Sequence, residues 1–326
     1  MTDRTKRILK LLVRGLVTAA LLWLIFREID LDALTEALAR ARWRYVLLSW
    51  ALGVLAYWVR AERLGLILKK LGCKLATRKI FRASAVATIY SLVLPGIVGV
   101  GVKWYILRSF TGKAAQALSA MVYNQASEVL LRLLLSLVLV AATNPGGAWW
   151  MPALCLAVTV VLVAGLLLLF HPRTAARLVS ISNSLLKPLP AFVREGAMKT
   201  IASSQVFAST GPGFHLNIAA INVVSTLFSA ALYWCCARAI GISVPATAFV
   251  WQASVVYILG RLPISVANFG VRECTLIGFL SLYGVDAATA VVFSLLVFSN
   301  ALVMAFIGLL YQLSGISRAE KAADTS

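Results

Sequence analysis

The chain has 326 residues, 61% hydrophobic and 13% charged, with mean hydropathy +0.88 and a formal net charge of +19. That composition argues against a soluble globular domain, because several windows of about 20 apolar residues are each long enough to cross about 30 Å of hydrocarbon. Five cysteines without a Cys-x-x-Cys pair and only two histidines argue against a disulfide framework, a zinc site or any other metal cluster.

Residues 1–7 are basic and are followed by a first apolar span at about 8–26. Arg27, Glu28 and Asp30 come directly after it, with no small-residue cleavage site, so it reads as a retained anchor. Residues 29–42 alternate charge with Leu and Ala at helical spacing and suit a short interfacial helix. A second span runs from about 44 to 62. The stretch 60–82 then sets Arg60, Arg63, Lys69, Lys70 and four further bases against one acid, Glu62, and reads as a cytoplasmic loop.

Next comes a broken segment at about 83–108. Pro95-Gly96 stops its first helical arm, since proline lacks a donor and disfavours helix in the residue before it. Gly99 and Gly101 are expected to delay a restart. Lys103, Arg108 and Lys113 mark a return to the cytoplasm, which makes the segment a re-entrant hairpin. A third span at about 115–141 leads to the charge-free loop 142–150, with Trp149 and Trp150 at the far interface, and a fourth span covers about 150–170.

The stretch 171–210, again basic, forms a cytoplasmic connector, and a fifth span covers about 214–240. The second broken segment, about 247–282, contains Pro263 and Gly270 and enters from the far side. A sixth span at about 286–313 returns the chain to the cytoplasm, where Arg318 and Lys321 agree with that side. The bases thus cluster in alternate loops. This is the pattern of membrane topology, not of nucleic-acid binding.

The two broken segments share one pattern. Residues 94–103 read LPGIVGVGVK and residues 262–272 read LPISVANFGVR. Similar small-residue runs follow, from Gly112 before the third span and from Gly284 before the sixth. With hairpins entering from opposite faces, this predicts an inverted repeat around a mid-membrane site. The expected fold is therefore an all-α integral membrane protein, one membrane domain over 1–326. It has six full spans and two re-entrant broken-helix hairpins, with halves at about 44–141 and 214–313 and both termini in the cytoplasm of a bacterial inner membrane.

Polar side chains at membrane depth are costly unless paired or hydrated, so they are the candidates for function. Glu128 and Arg132 stand at i and i+4 in the third span, with Asn124 one turn earlier. Arg272 offers a fork suited to a phosphate, and Lys103 offers a point charge from the other hairpin. Arg272 and the adjacent Glu273 point about 100° apart on a helix and need not pair; Glu273 is free to orient Arg261 or Arg132 instead. The blander alternatives stand beside these: Glu128–Arg132 as a structural pair, Lys103 as an interfacial anchor, and Asn300 as an interhelical hydrogen bonder.

No Gly-x-Ser-x-Gly, phosphate-binding loop or His-Glu-x-x-His occurs, so no catalytic residue and no cofactor are assigned, and no ATP-driven pump is expected. Three functions remain: flipping of an anionic or polyprenyl-linked lipid, membrane-embedded transfer or an accessory role on a lipid-linked glycan, and an ion or small-solute channel. Membrane lipids are the expected partners; homo-oligomers stay open.

The stretch Asn268-Phe269-Gly270-Val271-Arg272-Glu273 with its downstream Gly284-Val285 resembles the membrane region of lysylphosphatidylglycerol synthases and the related stand-alone flippase-like proteins. Leu94, Pro95, Gly96, Gly99 and Gly101 resemble that family's first motif, and Ser127 through Arg132 its charged entry into the next span. Val102 and Lys103 stand where the family usually has an acid and an arginine, and Asn268 where it has glycine. With about a dozen polar residues after the last span, no soluble aminoacyl-transferase domain is expected. The resemblance implies translocation of a lipid or lipid-linked molecule, not synthesis of lysylphosphatidylglycerol. On the cost of polar groups at membrane depth, Lys103, Arg108, Asn124, Glu128, Arg132, Arg261, Asn268, Arg272 and Glu273 are the candidate substrate-binding residues.

Overall fold

A computed structural model describes residues 41–93, 96–143, 147, 149–170, 206–207, 209–260 and 270–323. The expected first span, the interfacial helix 29–42 apart from its last two residues, and most of the connector 171–210 lie outside the described residues. So do Pro95, Arg261, Pro263 and Asn268. Among the described residues every regular element is a helix. In order they are α1 (Trp43–Lys70), α2 (Thr77–Val93), α3 (Gly96–Thr111), α4 (Ala114–Thr143), α5 (Met151–Phe170), α6 (Pro212–Ala239), α7 (Ala246–Leu259), α8 (Val271–Ser281) and α9 (Ala287–Ala323).

Among the described residues three segments are long and apolar enough to cross a membrane: Ala114–Thr143, Pro212–Ala239 and Ala287–Ser314. Only 17% of the apolar window of α4 is fully buried within the protein, and most of its residues are half-buried.

Two expected boundaries move. α1 does not end near 62 but continues to Lys70, because Leu64, Ile67 and Leu68 keep the helical period and are fully buried. The stretch 60–82 is therefore mostly helix, with α2 already under way at Thr77. α3 likewise begins at Gly96, so Gly99 and Gly101 do not delay it.

The structure has two compact units. One draws on the described parts of Met1–Tyr57, Phe81–Lys103 and Thr226–Ser326; the other on those of Trp58–Ile80 and Trp104–Ser225.

In the first unit both broken segments fold back on themselves. A Cβ on Gly99 would lie 2.9 Å from the Ala87 carbonyl oxygen and against the Ser91 hydroxyl. Twelve residues of continuous helix would separate positions 87 and 99 by about 18 Å, so the chain reverses between α2 and α3. Gly99 serves close approach, whereas Gly101 meets nothing within 4 Å. The second hairpin closes on aromatic contacts: Phe279 of α8 packs edge-on against Trp251 of α7 at 4.7 Å and lies 5.9 Å from Phe249.

α9 anchors this unit. Trp50 Nε1 of α1 donates to Ser299 Oγ at 2.7 Å, and Asn300 Nδ2 reaches Ser49 Oγ at 3.4 Å and Cys236 Sγ at 4.0 Å. Asn300 is thus an interhelical hydrogen bonder. Asp286 caps the helix by accepting from the Thr289 N–H at 2.8 Å, and that bond holds its carboxyl below the usual range.

Gly308 of α9 lies directly on the backbone of Ala85, with a built Cβ 3.0 Å from the Val86 nitrogen. Gly308→Leu is expected to lower stability by about 1–3 kcal/mol through overpacking. Gly101→Ala should be neutral or stabilising, because Gly costs a helix about 0.5–1 kcal/mol relative to Ala. Thermal unfolding in detergent checks the contrast, and equal effects at the two positions would contradict it.

In the second unit α4 packs along α5. Tyr123 stacks on Phe207 at 4.2 Å and hydrogen-bonds His215 Nδ1 at 2.6 Å, which ties the start of α6 to α4.

Candidate functional site

Charge is collected inside each unit. In the second, α4 places Asn124, Glu128 and Arg132 on one face, as their spacing requires. Glu128 sits at the midpoint of this 30-residue helix and is buried, as is Arg132. The expected i, i+4 pair forms, with Arg132 Nη2 at 3.2 Å from Glu128 Oε1.

Two further arginines meet the same carboxylate, and neither was expected in a site. Arg63 of α1 is fully buried; its Nη2 pairs with Glu128 Oε2 and its Nε donates to Asn124 Oδ1 at 2.8 Å. Arg60, one turn earlier, approaches Glu128 Oε1 at 3.6 Å, with a quarter of its side chain exposed. Three guanidiniums thus converge on one carboxylate. A charge here costs several kcal/mol to desolvate, and only dense pairing and hydrogen bonding offset that cost. The sequence did hold a signal: Arg60 and Arg63 are spaced i, i+3, and the apolar run Leu64–Leu68 after them keeps the helix going.

In the first unit the site forms at the restart of the second broken helix. Gly270 adopts φ 83°, a backbone conformation that L side chains rarely adopt, and precedes α8. Glu273, at the third helical position, reaches back so that the Gly270 N–H donates to its Oε2 at 2.7 Å. It thereby satisfies one of the helix's orphan donors and sits favourably at the positive dipole end.

The other Glu273 oxygen accepts from Ser294 Oγ of α9 at 3.3 Å and from Arg272 Nη2. Adjacent residues therefore do pair, although the helical angle does not require it. The long arginine side chain folds back over the helix end, and its guanidinium lies 4.7 Å from the Phe298 ring centroid. In the other unit Arg132 is engaged with Glu128.

Of the remaining candidates, Lys103 is half-buried on α3. Arg108 is exposed and stacks over Trp104 at 5.6 Å, in neither charge cluster. Among the described residues no group of three or more His, Cys, Asp or Glu side chains could hold a metal ion.

Long apolar helices with charge buried between them define an integral membrane protein of the all-helical class. The family model of the lysylphosphatidylglycerol synthase TM region matches residues 11–308, so the chain belongs to that family. No match to a curated protein is found.

Proposed function

We propose that the chain moves an anionic or polyprenyl-phosphate-linked lipid between the leaflets of the bacterial cytoplasmic membrane. In this reading it acts as a translocase, not an enzyme. It has six full spans and two hairpins entering from opposite faces as an inverted repeat. The observation that carries the reading is the Arg272–Glu273 pair at the Gly270 break.

α7 has 14 residues and α8 has 11, about 21 Å and 16 Å at 1.5 Å per residue, so neither crosses the bilayer alone. A break between them is tolerated at membrane depth only where it is covered by protein or lines a wet cavity. The restart of α8 offers partial positive charge, and Arg272 offers a fork for phosphate oxygens, while Glu273 holds the base in place. The acyl or prenyl tails stay in lipid. Lys103, and by sequence Arg261 and Asn268, are assigned to the same headgroup task.

Native mass spectrometry of the purified protein tests the reading. A phosphate-bearing lipid should be retained by the wild type and depleted in Arg272→Ala, and equal retention would speak against the assignment. The topology has its own test. In a cysteine-free background, a cysteine at Gly147 should react with an impermeant thiol reagent added to the outside of cells, and one at Ser184 should not. Labelling of both from one side would overturn the inverted repeat.

A further inference from the structure

The Glu128 cluster holds more donors than its acceptors use. Arg63 spends Nη2 on Glu128 and Nε on Asn124, yet its Nη1 is buried with no hydrogen-bond partner among the described residues. On the same helix as Glu128, Gln125 Nε2 is also buried with no hydrogen-bond partner among the described residues. A buried donor left without an acceptor is costly, and more so when it is charged. The whole chain carries 31 Lys and Arg against 12 Asp and Glu, so acids are too few to neutralise its bases. Arg60 gives the cluster an edge toward the outside, with 25% of its side chain exposed.

We infer that Arg60, Arg63 and Arg132 around Glu128 form an anion site for a phosphate group, with Glu128 as the built-in anion that the ligand competes against. Donors converge there from two helices, α1 and α4, and suit an acceptor-rich tetrahedral oxyanion. Without ligand, Glu128 keeps the guanidiniums in place. With ligand, phosphate oxygens take up Arg63 Nη1 and share the donors Glu128 now holds. This deepens the lipid reading by naming a second phosphate position, but it concerns binding and is measured without transport. The two can therefore fail separately.

The test uses the full chain in detergent and follows its thermal unfolding. One arm titrates inorganic phosphate against chloride at matched ionic strength. The other adds mixed micelles containing phosphatidic acid, against phosphatidylcholine alone.

Saturable stabilisation by both probes supports the site with free phosphate as a ligand. Stabilisation by phosphatidic acid alone supports it with a lipid headgroup as the source. Arg60→Gln, the milder variant because that side chain is partly exposed, should weaken the effect by about tenfold, and Arg63→Gln by about tenfold to a hundredfold. Glu128→Gln removes the competitor and should bind at least as tightly as wild type. Arg78→Gln, an exposed arginine outside the cluster, should change nothing. Absence of saturable stabilisation in the wild type, or equal stabilisation of wild type and Arg60→Gln, would overturn the proposal.

Discussion

Arg272→Ala is expected to reduce lipid transport by at least about tenfold, close to the background of protein-free liposomes, while the protein still inserts and folds. The size follows from losing a charge-assisted phosphate contact worth about 1.5–3 kcal/mol. Folding should survive because Glu273 keeps two other partners, the Gly270 N–H at 2.7 Å and the Ser294 hydroxyl at 3.3 Å. Arg272→Lys should recover part of the activity, since an ammonium keeps the charge but cannot make a two-pronged contact. Rates in liposomes at equal protein content check both variants. Full transport by the alanine variant would make the pair a structural cap only.

Glu128→Ala is expected to have the largest effect on stability. Its carboxylate is shared by Arg63, Arg60 and Arg132 at the middle of α4, so removal leaves guanidinium charge buried without its counter-ion. Breaking one buried pair costs about 3–5 kcal/mol. Arg63→Ala should cost a similar amount, because it strips Glu128 and Asn124 of a shared partner and vacates a large, fully buried side chain. Arg60→Ala should cost less, since that side chain is partly exposed and an exposed pair is worth about 1 kcal/mol or less. Unfolding in detergent, compared at one protein concentration, ranks the three. A Glu128→Ala protein as stable as wild type would show that the cluster contributes nothing to the fold.

Much of this architecture was legible because proline, glycine and long apolar windows act through local backbone chemistry. The helices from Ala114, Pro212 and Ala287 are simply apolar runs of spanning length, and the segment around Gly270 advertised its break. Asn124, Glu128 and Arg132 were readable as one face because helical spacing alone brings them together.

What was hidden needed the third dimension. Arg60 and Arg63 look like topology-setting charges when an apolar window is taken to end at the first base. Their burial depends on a partner 65 residues away in the case of Arg63 and Glu128. Gly99 carries no sign in sequence that α2 passes over it, so its role in close packing is indistinguishable there from helix breaking. Gly101, two residues on, has the same sequence signature and no neighbour. The pairing of Arg272 with Glu273 turned on side-chain length and the fold-back at a helix terminus, which a wheel of Cβ directions does not contain.

The most direct test of lipid translocation is transport by the purified chain in liposomes carrying a headgroup-labelled phosphate-bearing lipid, with the accessible label quenched from outside. The account predicts that the protected fraction falls with time in proportion to protein per liposome. A zwitterionic control lipid should move more slowly, and Arg272→Ala should match protein-free liposomes. A protected fraction that stays at the protein-free level with wild-type chain, for both anionic and polyprenyl-phosphate probes, would contradict it.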